Sequence, residues 1–82
     1  MEELNIVKEI LAKLLEEASE QGVRTIRTAE IAIGEAFPMQ VKDLKYWLTE
    51  LARGTPAENA KFKFKKGRIK GSAYVITEIS EY

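Results

Sequence analysis

VRTIRTAEIAIGEAF, residues 23–37, decides the fold, because its two halves ask for different backbones. VRTIRT (residues 23–28) alternates and is rich in β-branched side chains, which suits a short strand. In TAEIAIGEAF (residues 28–37), Ala29, Ala32, Ile33, Ala36 and Phe37 fall on one face of a helix, with Glu30 and Glu35 pointing away. Thr28 is placed to cap such a helix by accepting a bond from a free N–H at its start. Gly34 weakens it internally, and Pro38 ends it, since proline disfavours helical geometry in the residue before it. The stretch therefore predicts a short strand, a short helix and a turn over residues 36–39.

Upstream, ELNIVKEILAKLLEEASEQG carries apolar residues at the 3.6-residue period of an amphipathic helix, with Gly22 as its stop. Leu4, Ile6, Val7, Ile10, Leu11 and Leu14 form a broad stripe, wider than one core-facing seam needs, so the helix reads either as central to a small core or as leaving one edge over for a homodimer as partner. Downstream, MQVKDLKYWLTELARG (residues 39–54) places Val41, Leu44, Trp47, Leu48, Leu51 and Ala52 on one face, and Gly54 stops it. TPAE (residues 55–58) suits a single helical turn in the following loop. AKFKFKK alternates Phe62 and Phe64 with lysines, the period-2 pattern of a strand with one wet and one buried face. SAYVITEIS reads as a second strand, with Ala73, Val75, Thr77 and Ile79 on one side and Tyr74 and Ile76 on the other. GRIKG between them supplies two glycines for a hairpin turn.

Composition narrows the function classes. The 82 residues are 45% hydrophobic and 32% charged, enough apolar material for one small core and too much for disorder. Neither cysteine nor histidine is present, so disulfides, thiolate metal sites and imidazole general bases are unavailable. No apolar run approaches a membrane span, and the acidic start MEEL does not read as a secretory signal, so a soluble cytoplasmic protein is expected. Net charge is zero, yet residues 61–70 hold five Lys and one Arg unopposed, while residues 1–20 hold six Glu against two Lys. A ligand responds to the field within about 8 to 10 Å, so the basic patch matters more than the sum.

The order helix, short strand, short helix, turn, longer helix and basic hairpin resembles the winged helix-turn-helix family, in its small single-domain archaeal, plasmid and viral form. The resemblance implies an α+β fold of three helices with a C-terminal β-hairpin wing and the short strand between helices 1 and 2. One domain would span residues 1–82: helix 1 over about 2–21, the helix-turn-helix over about 28–53 and the wing over about 60–80. RTAEIAIGEAF would be the positioning helix, MQVKDLKYWLTELARG the recognition helix and KFKFKKGRIKG the wing.

The function implied is sequence-specific binding of double-stranded DNA, as in transcription regulation, with the recognition helix in the major groove and the wing on the backbone or minor groove. Met39, Gln40, Lys42, Lys45, Tyr46, Thr49 and Arg53 would face the bases. In the wing, Lys61, Lys63, Lys65, Lys66, Arg68 and Lys70 would neutralise phosphates. Arg24, Arg27 and Thr28 would add backbone contacts. Blander readings compete: lysines along a strand also protect a sheet edge, and Phe62, Phe64 and Trp47 suit a core better than base stacking. Glu16, Glu17 and Glu20 read as a solvated helix face before they read as a cation site. A protein-interaction module and an RNA binder are the rival functions. No catalytic chemistry, cofactor or metal site is expected, for want of a convergent acid-base or ligand set.

Overall fold

The computed structural model describes residues 2–81 of the chain, with side chains from Leu4 onward. Five elements follow one another: α1 (Glu2–Glu20), β1 (Ile26–Ile33), α2 (Val41–Leu51), β2 (Lys61–Lys66) and β3 (Tyr74–Glu81). The architecture is thus two helices and a three-stranded mixed sheet, not three helices with a hairpin wing.

The segment expected as a positioning helix is the central strand. Burial in β1 alternates, with Ala29, Ile31 and Ile33 turned inward and Thr28, Glu30 and Ala32 turned out. Four of its eight residues are β-branched, and branching at Cβ costs rotamer freedom in a helix but packs well on a pleated surface. A helix leaves Ile31 outside its apolar face, whereas the sheet buries that residue completely. Local spacing permits both periods, and pairing on both edges of the segment chooses between them.

β2 and β3 do not pair with each other. β1 lies between them, parallel to β2 and antiparallel to β3, in the order β2-β1-β3. Parallel neighbours need a crossover connection, and α2 provides it between β1 and β2. Residues 67–73 then carry the chain past the end of β1 to its other side. The Gly67 N–H donates to the Ile33 carbonyl at 3.1 Å and the Gly34 N–H to the Ala73 carbonyl at 2.9 Å, so both limbs of this link are tied to β1. The expected hairpin over residues 60–80 is therefore replaced by two strands flanking a third.

The β1–β3 pairing shifts register between Glu30 and Ile31, where Thr77 is the extra residue. That bulge brings Ile79 opposite Ala29, on the same face as Tyr74 and Ile76, instead of beside Val75 as simple alternation requires. A second shift falls between Ile26 and Thr28 and sets Arg27 outside the ladder.

Both helices cover one face of the sheet. Val7, Ile10 and Leu14 of α1 and Leu44 and Leu48 of α2 are fully buried against Ile26, Ala29 and Ile31, with Phe62 and Tyr74 closing the flanks. The α1 stripe is thereby spent: Val7, Ile10, Leu11 and Leu14 belong to the core, and Leu4 and Ile6 are partly buried. The homodimer expected through those six residues loses its surface. α1 stops at a Schellman turn: the Val23 N–H reaches the Ala18 carbonyl at 2.8 Å, the Gly22 N–H reaches the Ser19 carbonyl at 3.1 Å, and Gly22 takes φ +75°.

Candidate functional surface

The sheet face away from the helices is open and built of three rows. On β2, Lys61, Lys63 and Lys65 point outward between the inward Phe62 and Phe64. Parallel register sets Thr28, Glu30 and Ala32 of β1 beside them. The third row is β3, with Val75 43% exposed and Thr77 and Glu78 also exposed. The alternation of KFKFKK legible in the sequence is thus the division between core and open face.

Charge on this face is unevenly matched. Glu30 Oε1 accepts from Lys65 Nζ at 2.9 Å and from Thr77 Oγ1 at 3.0 Å. The Lys65 bond, and then the Thr77 bond, hold the Glu30 carboxyl below the usual carboxylate range. Among the described residues, Lys61, Lys63, Lys66, Arg68 and Lys70 make no ion pair. Arg27, set outside the ladder by the second register shift, joins Lys61 and Lys63 around Thr28 in a shallow pocket of about 410 Å³ whose lining contains no carboxylate. Thr28 itself is engaged with the Ser80 hydroxyl across the β1–β3 pair.

The residues expected to read DNA lie in the other layer. Lys42, Lys45, Tyr46 and Thr49 are exposed on α2, and Thr49 Oγ1 donates back to the Lys45 carbonyl at 2.8 Å. Tyr46 is 56% exposed and meets Trp47 edge to face at 5.1 Å, while Trp47 packs partly against the core. Arg53 pairs with Glu50 at 2.8 Å. Met39, Gln40 and Lys42 line a groove of about 690 Å³ at the end of β1, floored by Ile33, Phe37 and Val41, and Lys66 stands on its rim. The helix set and the β2 set thus meet at this groove, where Met39, Gln40 and Lys42 come beside Lys66. Arg24 is exposed, its backbone N–H donating to Glu81 at 2.9 Å, and Arg68 and Lys70 sit on the link between β2 and β3.

One contact escapes a pattern-based reading. Tyr74, 5% exposed, donates its hydroxyl to Glu9 Oε2 at 2.8 Å, with Lys13 Nζ 5.6 Å from its ring centroid. Burial first, and then the Glu9 carboxylate, raise the Tyr74 pKa. A phenol on the buried side of an alternating strand is the signal the chain offers, though its partner lies 65 residues away.

No cluster of three or more His, Cys, Asp or Glu able to hold a metal ion occurs among the described residues, and Glu16, Glu17 and Glu20 do not form one. No helix there is long and apolar enough to cross a membrane.

Comparison with known proteins overturns the winged-helix expectation. Residues 1–73 match the family model described as HypA, hydrogenase/urease nickel incorporation, metallochaperone. The hydrogenase maturation factor HypA of Methanopyrus kandleri is 33% identical over 63 residues, which cover 77% of this chain and 44% of that protein. The chain thus spans less than half the length of that relative. The solution structure of the Ni metallochaperone HypA from Helicobacter pylori superposes with a TM-score of 0.80 at 11% identity, covering 96% of each chain, and shows the same fold.

DNA binding, transcription regulation and a double-stranded DNA partner are corrected accordingly, and neither the RNA-binding nor the winged-helix interaction alternative is supported. The likeness rests on a helix that is a strand and a hairpin that does not pair. The family is one of metal-incorporation factors and not of enzymes. With a mixed β2-β1-β3 sheet backed by two helices and a family match over residues 1–73, this chain belongs to the HypA family.

Proposed function

We propose that this chain serves nickel incorporation into a hydrogenase or urease through its contacts with other maturation proteins, and that its own side chains do not carry the ion. Membership of a nickel-incorporation family in a chain with neither histidine nor cysteine carries this reading. Imidazole and thiolate are the side-chain donors that hold late first-row metals firmly at neutral pH, and carboxylates alone favour harder cations. Among the described residues the carboxylates do not substitute for them, since no three gather. A two-layer fold kept without those donors leaves the surface as the working part.

Deletion of the gene, followed by assay of nickel-dependent hydrogenase or urease with and without added nickel, tests the first half. Loss of activity is expected, and undiminished activity would overturn the role in maturation. Calorimetric titration of the purified chain with nickel tests the second half. No saturable binding at micromolar concentrations is expected, and a stoichiometric micromolar site would show that the chain itself carries the ion.

A further inference from the structure

The geometry points to the free edge of β2 as a docking site for an extended acidic segment of a partner protein, which adds to the sheet as a fourth strand. β2 is an outer strand of the sheet. The Gly67 N–H turns toward β1, so strand alternation turns the N–H and C=O groups of Phe62, Phe64 and Lys66 the other way. None of these makes a further backbone bond among the described residues. Such an edge is a template for strand addition, in which main-chain bonds give affinity and side chains on alternate positions give selectivity.

Charge selects the occupant. Lysines commonly protect an edge from pairing, and against a second copy of β2 they do so here, because Lys61, Lys63 and Lys65 would face their own kind across the new ladder. An acidic strand meets the opposite situation. Its carboxylates on one face would lie beside Lys61 and Lys63, and the pocket that these share with Arg27 offers cations with no acid of its own. Edge protection alone does not account for Arg27, which sits on the central strand and reaches this pocket through a register shift. The opposite edge gives an internal contrast, since β3 exposes Thr77, Glu78 and Glu81 and no cation. This docking site follows from edge geometry and charge, and it stands whether or not the chain serves a nickel enzyme.

The full chain would be titrated, at low and at physiological salt, with labelled short peptides: one alternating Glu with Val, one with the same residues in two blocks, and one alternating Lys with Val. Fluorescence anisotropy and amide chemical shifts give the readouts. The alternating acidic peptide is expected to bind, to weaken with salt, and to shift the amides of Phe62, Phe64 and Lys66. A Lys61→Glu, Lys63→Glu double variant should lose about tenfold or more of that affinity and gain binding of the alternating Lys peptide, which also shows that the variant is folded. Equal binding of the alternating and blocked acidic peptides would overturn strand addition, as would shifts confined to the β3 edge. Tighter binding of duplex DNA than of the acidic peptide would overturn the choice of partner. These outcomes are independent of the hydrogenase or urease assay.

Discussion

The two faces of the sheet are made from the same three strands, and they do different things. One face presents Ala29, Ile31, Ile33, Phe62 and Tyr74 to the helices, all buried, while the other presents Lys61, Lys63, Lys65, Glu30 and Val75 to solvent. A residue and its neighbour in a strand are separated by one peptide bond and by the whole thickness of the sheet. The apolar core and the charged open face are thereby written in alternate letters of one segment, so a substitution's effect should depend on its parity more than on its chemistry.

The largest break in that contrast comes from the covered face. Ile31→Ala should destabilise the protein by about 2–5 kcal/mol, because a fully buried side chain leaves both lost apolar contact and a cavity. Urea unfolding followed by circular dichroism checks it, and a cost below about 1 kcal/mol would show that β1 does not centre the core.

A smaller effect is expected at the join between α1 and β3. Tyr74→Phe removes the hydroxyl that Glu9 accepts at 2.8 Å, at a cost of about 0.5–1.5 kcal/mol. Because the folded protein raises the Tyr74 pKa, this tyrosine's contribution is fully present below the ordinary tyrosine range, near 10, and is lost as pH rises through the higher folded value. Thermal unfolding followed from neutral to alkaline pH should therefore show a shallower decline for Tyr74→Phe than for the parent chain.

The smallest effect belongs to the open face. Lys65→Ala should leave the unfolding transition nearly unmoved and act on Glu30 instead, whose carboxyl loses its first hydrogen-bond donor. Glu30 titrates low in the folded chain, so its contribution is present above the ordinary glutamate range and fades as pH falls through the folded value. Carboxyl NMR should show the Glu30 midpoint rising in Lys65→Ala, and an unchanged midpoint would mean that the pair does not persist in solution.

Much of this contrast is legible in the order of residues alone. α1 and α2 announce themselves by long apolar stripes, and both occur, at Glu2–Glu20 and Val41–Leu51. Phe62 and Phe64 against Lys61, Lys63 and Lys65 read as a buried row against a wet one, and the sheet keeps them so. The candidate site is legible only as a cluster of positive charge. Its dependence on Arg27 is hidden, because a register shift is a property of two strands together.

What lies in the chain's own order is the content of each face: which side chains are apolar, at what period, and where basic charge collects. Those are local properties, fixed by neighbours one to four residues apart. Whether TAEIAIGEAF is helix or strand, and whether KFKFKK and SAYVITEIS pair with each other or with a third strand, is decided only in three dimensions. Ile31 is buried because β2 and β3 close on β1 from both sides and α1 and α2 cover it, and those partners come from segments far along the chain. Backbone pairing and burial of one contiguous core outweigh the small propensity differences, on the order of 1 kcal/mol, that separate helix from strand in a short ambiguous segment.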